Sequence, residues 1–352
     1  MLLARERTTA EDAVARLAGM QAQEPRHPFV GLWTRLEGFD AGELREALAV
    51  RRSIVRGTTL RGTLHLHTAA DYAAWRPLLQ PMLGEGLGLL GDRAAGLDVD
   101  AVCAHARTLL ADQPRTFAQL RERLAAAFPG VDERALGFAV RMHVPLVMEP
   151  TDATWAFPSI ARFALADGWL GDAWSGTAAP DGRRELVRRH LAAFGPATVA
   201  DVQAWSALRD LGPVVEGMRD ELAVFRPERG RRELFDLPGA PRPGADAPAP
   251  VRFLPEFDNL LLSHRDRTRV IADEHRPAVV TRNLRVRATF LVDGTVAGTW
   301  TLERRRGEAA VVLAPLGRLR AADRRALERE GEALARFLEP GAKAHAVRVA
   351  DA

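Results

Sequence analysis

Cysteine and lysine are almost absent from this chain of 352 residues: Cys103 is the only cysteine and Lys343 the only lysine. A single cysteine excludes an internal disulfide and any metal site built from several cysteines. A single lysine leaves Lys343 and the α-amine as the only amines for Schiff-base chemistry, so we expect no mechanism that depends on a catalytic lysine. Nearly every other cation is arginine, which is the expected signature of a GC-rich coding sequence, so its abundance alone does not indicate phosphate binding.

Long apolar runs and several common catalytic motifs are also missing. No run approaches the length that spans a bilayer, and the N-terminus lacks the apolar segment of a signal peptide. We therefore expect a cytoplasmic protein with no membrane partner. G-x-S-x-G, the Walker loop and H-E-x-x-H do not occur, so serine-hydrolase, ATPase and zinc-protease readings lack support. The composition, 47% hydrophobic and 27% charged with a net charge of +3, is ordinary for a globular protein.

A polar segment, residues 19–25, stands where the first helix should end. Thr9 is the predicted N-cap of that helix, with Asp12 three residues later, and a glycine and a proline bracket its end. If the segment is extended, Gln21 and Gln23 point the same way, because side chains alternate along an extended backbone. Two amides would then converge on one side of a fixed loop. The alternative is that both glutamines simply face water.

The N-terminal part of the chain repeats one order of elements, in which helices are followed by a β-hairpin. This order is typical of the winged helix, a variant of the helix-turn-helix. The second hairpin is predicted to pair residues 146–149 with residues 154–157. We predict three tandem winged helices, at residues 1–95, 96–177 and 178–240.

The C-terminal part has a different character. Residues 241–250 are rich in proline and lack a periodic apolar pattern, which indicates a linker. Beyond them, two alternating segments flank Asp293-Gly294, a strong signal for a type I′ hairpin. The predicted strands cover residues 286–292, 295–302, 310–313 and 344–349, and an amphipathic helix covers residues 321–337. We predict a small α+β domain at residues 251–352 with an antiparallel sheet, and an α+β class for the whole chain.

Arginine clusters at the predicted hairpins and their flanks are candidate DNA contacts. Arginine at a wing reaches phosphates or the minor groove, and such contacts give affinity that does not depend on sequence. The alternative is that exposed turns in this chain carry arginine by default. Because the order of elements agrees with DNA binding, we predict contacts from Arg56, Arg61, Arg229, Arg231, Arg304 and Arg305.

Two histidines, His65 and His67, share one face of a predicted strand. Their spacing would suit a pair of metal ligands, but no third ligand stands at metal-site spacing. We therefore predict no metal, treat the pair as a polar strand face, and include both residues among the candidate DNA contacts.

Four segments in matching order resemble the AlkZ/YcaQ-type family of bacterial DNA glycosylases. They are Gln21-Ala22-Gln23 and residues 31–36, 60–66 and 253–262. The tripeptide resembles the branch of the family with glutamine at both ends. The resemblance implies tandem winged helices and excision of bulky alkylated purines, including cross-links and natural-product adducts at guanine N7, often as self-resistance of a producer. It also implies that Gln21 and Gln23 are the catalytic residues.

The chemistry of such a reaction suits two glutamines. A guanine alkylated at N7 is cationic, so its glycosidic bond is already weakened and no general acid has to protonate the leaving base. Departure leaves oxocarbenium character at the sugar, and amide oxygens can hold a water and offset the developing charge. We therefore expect a monofunctional glycosylase without cofactor or lyase activity, acting as a monomer on double-stranded DNA that carries alkylated guanine.

Two other functions fit the same sequence. Winged helices most often serve non-catalytic transcriptional regulators, and such a protein would bind one promoter without releasing a base. A third possibility is a family member that binds and sequesters the adduct without cleaving it. Release of free base from an alkylated duplex distinguishes the enzyme from both.

Overall fold

The computed structural model describes residues 1–226 and 232–350. The helices within those residues are α1 (Ala10–Arg16), α2 (Arg26–Trp33), α3 (Ala41–Ala49), α4 (Ala69–Leu78), α5 (Gln80–Glu85), α6 (Val99–Asp112), α7 (Phe117–Ala127), α8 (Glu133–His143), α9 (Ala166–Leu170), α10 (Gly182–Phe194), α11 (Val199–Ser206), α12 (Gly212–Glu216), α13 (Asn259–Leu262), α14 (Arg276–Val279) and α15 (Ala321–Leu338). The strands are β1 (Met20–Gln21), β2 (Ile54–Thr58), β3 (Leu64–Thr68), β4 (Arg115–Thr116), β5 (Leu146–Met148), β6 (Arg162–Leu165), β7 (Ala223–Phe225), β8 (Leu234–Asp236), β9 (Arg252–Leu254), β10 (Thr289–Val292), β11 (Thr295–Arg305), β12 (Glu308–Pro315) and β13 (Ala344–Val349).

The chain forms two compact units that do not follow its order. Unit 1 contains residues Met1–Thr8, His27–Phe39 and Pro241–Ala352, and unit 2 contains Thr9–Arg26 and Asp40–Ala240. Each unit combines helices with mainly antiparallel strands, so the structure has the predicted mixture of α and β elements. In the part of the chain that is described, no helix is both long and apolar enough to cross a bilayer.

Unit 2 is built on a six-stranded sheet with the order β1-β3-β2-β5-β6-β4. The β2–β3 and β5–β6 hairpins join where Gly57 pairs with Val147. A Cβ atom at Gly57 would lie 2.8 Å from the carbonyl oxygen of Leu146 and 2.5 Å from the Tyr72 ring, so only glycine permits this approach. Strand β1 lies at one edge of the sheet, where it pairs with β3.

One predicted strand of unit 2 is wrong. Residues 154–157 were expected to pair with residues 146–149, but the partner of β5 is β6, several residues further along. The intervening chain turns back on itself: the Thr151 amide donates to the Ala156 carbonyl over 2.6 Å, and Ala156 has a left-handed φ of 64°. Aromatic residues favour strands, but this turn places Trp155 and Phe157 outside the ladder.

Unit 1 is built on a five-stranded sheet with the order β13-β12-β11-β10-β9, and α15 packs on it. The predicted Asp293-Gly294 turn is confirmed, because both residues have positive φ, 51° and 74°, between β10 and β11. Trp300 donates from its indole nitrogen to the Leu254 carbonyl over 2.9 Å within the core. The carboxylate of Asp258 accepts two hydrogen bonds, at 2.7 and 2.9 Å, from the buried guanidinium of Arg35.

Candidate functional site

The loop with the two glutamines follows the short helix α1, and the predicted N-cap of that helix is confirmed. The Thr9 hydroxyl of α1 accepts a hydrogen bond from the Asp12 amide over 3.0 Å. After α1 the chain reverses through two left-handed residues, Ala18 with φ of 52° and Gly19 with φ of 90°. A Cβ atom at Gly19 would lie 2.2 Å from Cε1 of the His67 ring, so the reversal needs a glycine for both its conformation and its closeness to β3.

The backbone of the loop is fixed by pairing with β3. Gln21 lies opposite His65 in the antiparallel register of β1 and β3. One residue later, the Ala22 amide donates to the Leu64 carbonyl over 2.7 Å. The loop is therefore an edge of the sheet in unit 2 and has a defined position rather than a freely moving one.

Arg56 holds the same loop by its carbonyl groups. Its Nε donates to the Ala22 oxygen over 2.9 Å, and its Nη2 donates to the Gln23 oxygen over 3.1 Å. The residue is 3% exposed, and its guanidinium lies 4.8 Å from the centre of the Phe157 ring. Burial lowers the pKa of Arg56 to about 10, with Glu24 acting in the opposite direction, so the side chain is still a cation at neutral pH.

Gln21 and Gln23 differ in their surroundings. Gln21 is 7% exposed, and its Oε1 accepts a hydrogen bond of 2.8 Å from Nη2 of Arg61. Gln23 is exposed, and its side-chain amide forms no hydrogen bond to any described residue. One amide of the pair is therefore anchored and the other is available.

Arg61 connects the anchored glutamine to the β2–β3 turn. It occupies a left-handed position, φ of 56°, within the 3₁₀ turn Leu60–Gly62. Its Nη1 donates to the carbonyl of Trp205, and its Nη2 also lies 3.2 Å from Nε2 of His65. The fork of the guanidinium thus contacts a backbone carbonyl, an imidazole and the Gln21 amide at once.

The two predicted DNA-facing histidines lie in the interior. Nδ1 of His65 lies 3.1 Å from the Thr63 carbonyl and Nε2 faces Arg61, so the ring must be neutral with its proton on Nδ1. Burial, then Arg61 and His67, lower the pKa of His65 well below its usual value. His67 is fully buried between His65 and Trp75, and its Nε2 lies 2.8 Å from the Thr59 hydroxyl. Burial lowers the pKa of His67 to about 4.

Three of the residues predicted to contact DNA are buried, and this corrects the prediction for them. Arg56, His65 and His67 are at most 3% exposed, so as they stand they cannot reach a phosphate. Instead they support the glutamine loop and the strand beside it. The histidines were assigned to the wrong face because alternation shows that residues 65 and 67 share a face but not whether that face is solvated.

Four other arginines predicted to contact DNA are not among the described residues that support the glutamine loop. Arg304 and Arg305 lie at the exposed end of β11 in unit 1, where Arg304 pairs with Glu339 at 2.7 Å and Arg305 pairs with Glu303 at 3.1 Å. Arg229 and Arg231 lie outside the described residues. Among the residues that are described, no three histidine, cysteine, aspartate or glutamate side chains are grouped to hold a metal ion.

Comparison with known proteins adds three findings. The family model described as DNA glycosylase AlkZ-like matches residues 14–337. An "Interstrand DNA cross-link repair glycosylase" from Streptomyces sahachiroi is 27% identical over 317 residues, which cover 85% of this chain and 83% of that protein. The solved structure of Streptomyces sahachiroi DNA glycosylase AlkZ superposes with a TM-score of 0.80 at 24% identity, covering 99% of this chain and 95% of that one, and this likeness concerns the fold.

Proposed function

Because the chain belongs to the AlkZ-like family of DNA glycosylases, we propose that it hydrolyses the N-glycosidic bond of bulky N7-alkylated guanines, including interstrand cross-links. The Streptomyces sahachiroi relative is named for the repair of interstrand DNA cross-links, which supports the cross-link as a substrate. The observation that carries the proposal is the side-chain amide of Gln23, which is exposed and forms no hydrogen bond to a described residue. The backbone of its loop is held by hydrogen bonds from Arg56 and by pairing with β3. A fixed loop holds its polar groups in place without reorganisation when the bond breaks.

The proposed mechanism uses Gln21 and Gln23 as the catalytic residues. An N7-alkylated guanine carries its positive charge before the reaction and leaves as a neutral base, so no acid is needed. The sugar acquires oxocarbenium character, and the amide oxygen of Gln23 can orient a water and offset that charge. A glutamine is a poor general base, so we expect no excision of unmodified, uncharged nucleosides.

The proposed enzyme is monofunctional and does not cut the strand. Strand cleavage by a glycosylase needs an amine that forms a Schiff base, and the amines of this chain are Lys343, its single lysine, and the α-amine. We expect an intact abasic site as the product. Nicking of that site by pure protein, persisting in Lys343→Ala, would contradict this part of the proposal.

We further propose that DNA is bound by tandem winged helices, with the protein acting as a monomer. Three stretches of the chain run in the order of helix, short strand, two helices and hairpin. The first is α1, β1, α2, α3 and β2–β3, the second is α6, β4, α7, α8 and β5–β6, and the third is α10, the bridge at Ala197, α11, α12 and β7–β8. The exposed arginines of β11, Arg304 and Arg305, stay candidates for phosphate contacts.

The proposal is tested with a duplex that carries one N7-alkylguanine. We expect release of the free modified base, detected by mass spectrometry, and an alkali-labile site in its place. Gln21→Ala and Gln23→Ala should each slow release by about ten- to a thousand-fold while duplex affinity changes little. Gln113→Ala, which removes an exposed glutamine at the end of α6, is the matched control and should release the base at the unaltered rate.

Two outcomes would contradict the proposal. Tight binding of the alkylated duplex without release of base would mean that the protein sequesters the adduct. Equal loss of affinity and rate in the glutamine variants would mean that the loop is structural and that the chemistry lies elsewhere.

A further inference from the structure

The hydrogen bond between Arg61 and Gln21 determines which end of the amide is free. A guanidinium only donates hydrogen bonds, so the atom of Gln21 that lies 2.8 Å from Nη2 must be the oxygen. The amide nitrogen of Gln21 bonds to no described residue. Within the described part of the chain, Gln21 therefore has an occupied acceptor and an unused donor.

The groups around Arg61 keep this orientation. Its Nη1 is held by the Trp205 carbonyl, and the lone pair on Nε2 of His65 faces its Nη2 at 3.2 Å. His65 is in turn fixed by the Thr63 carbonyl. The Trp205 carbonyl, the lone pair of His65 and the Gln21 oxygen all accept from Arg61, so the observed orientation of the guanidinium satisfies the three contacts together.

We propose that Arg61 is a positioning residue for this reaction, which holds the Gln21 amide by its oxygen and presents its nitrogen to the nucleotide as a hydrogen-bond donor. The inference rests on the function proposed above and divides the work of the two glutamines. Gln21 donates to an acceptor on the nucleotide, and Gln23 supplies the oxygen that orients the water.

The charge of Arg61 supports this division. A guanidinium bonded to an amide oxygen draws electron density from it, which strengthens the N–H groups as donors. The same cation makes that oxygen a poor partner for a sugar that is itself becoming positive. Gln21 is therefore suited to contact a neutral or anionic atom of the nucleotide and unsuited to stabilise the oxocarbenium ion.

Exchange of each glutamine for glutamate tests the division of roles. Gln21→Glu keeps the bond to Arg61, now as an ion pair, but removes the donor, so base release should fall to the rate of Gln21→Ala. Gln23→Glu keeps an oxygen acceptor, so it should release the base at least ten times faster than Gln23→Ala. A full rate in Gln21→Glu, or equal rates for Gln23→Glu and Gln23→Ala, would overturn the assignment.

Variants of Arg61 test whether it acts through Gln21. Arg61→Ala and Arg61→Lys should slow base release by about ten- to a hundred-fold, the range for a misplaced catalytic group. The double variant Arg61→Ala/Gln21→Ala should be no slower than Gln21→Ala alone, because the residue to be positioned is already gone. Arg123→Ala, which removes an exposed arginine from α7, is the control for the loss of one positive charge and should keep the unaltered rate.

The outcomes separate this inference from the function on which it rests. No base release by the unaltered protein would remove the proposed function itself. Release by the unaltered protein with a full rate in Arg61→Ala, or with independent losses that multiply in the double variant, would refute the positioning role alone. If Arg61→Ala does not fold, as judged by its thermal unfolding, Arg61→Lys and Gln21→Glu decide the question.

Discussion

Replacing Gly19 with alanine should displace the glutamine loop, and its effect can be worked out from the structure. The residue has φ of 90°, and its added Cβ atom would lie 2.2 Å from Cε1 and 2.4 Å from Nδ1 of His67. A left-handed backbone costs an ordinary residue about 1–2 kcal/mol. Overpacking a filled core costs about 1–3 kcal/mol more, because the His67 ring is packed between His65 and Trp75 and cannot move away freely.

The expected total for Gly19→Ala is therefore a loss of about 2–5 kcal/mol in the free energy of unfolding. Gly96→Ala is the matched control in the same unit, because Gly96 also has a left-handed φ, 71°, but nothing lies within 4 Å of its added Cβ. That variant should lose only the backbone contribution of about 1–2 kcal/mol. Urea unfolding followed by tryptophan fluorescence measures both values.

Base release provides a second measurement on the same two variants. Any shift of His67 or of β1 moves Gln21, so Gly19→Ala should slow release even under conditions where it is fully folded. Gly96→Ala should keep the unaltered rate. The reasoning is refuted if the two variants lose the same stability, or if Gly19→Ala is destabilised but releases the base normally.

Three further predictions concern buried charges and a buried imidazole. The pKa of His67 is about 4 in the folded protein and about 6.5 in the unfolded chain, so the stabilisation from neutral His67 is complete above pH 6.5 and is lost as the pH falls towards 4. Lowering the pH from 7 to 5 should therefore reduce the free energy of unfolding by about 2 kcal/mol. This part of the decrease should be absent in His67→Gln. Arg56→Ala removes the donors of two loop carbonyls and should slow base release by about ten- to a hundred-fold, with duplex affinity unchanged in a binding titration. Asp258→Ala leaves the guanidinium of Arg35 buried without its carboxylate and should cost about 3–5 kcal/mol in urea unfolding, whereas the joint change to Arg35→Met and Asp258→Leu should cost much less.

Local signals in the sequence identified many elements correctly. The threonine cap predicted before α1 is present, and the structure has the same kind of cap, as full capping boxes, at Thr116 before α7 and at Thr198 before α11. The Asp293-Gly294 turn, α15 and β13 also lie where the sequence predicts them. The cap and the turn depend on residues only a few positions apart, so the local pattern contains the interactions that decide them. Strand β13 is different, because it pairs with the distant β12, and it does so in parallel rather than in the predicted antiparallel arrangement.

Pairing between distant strands was harder to predict. Residues 154–157 have strand-forming aromatic residues, but β5 pairs instead with β6, and that choice depends on the sheet into which both are built. The same sheet decides the orientation of β3. Because β2 is buried along its whole length, a polar residue such as Arg56 in this strand is an interior group rather than a surface one.

The glutamine tripeptide could be found in the sequence, but its supporting residues could not. In the sequence, Arg56 and Arg61 look like the other arginines near hairpins. Apart from the nearby His65, their acceptors lie between 33 and 144 positions away in the chain, so the local pattern cannot show them. A buried arginine has to find such acceptors, so its partners indicate its role better than its position in a turn does. The same contacts constrain the identity of residue 21 under the proposed positioning role. A glutamate there could accept from Nη2 of Arg61 but would have no hydrogen to donate, whereas the glutamine accepts from Arg61 and keeps its N–H groups for the nucleotide.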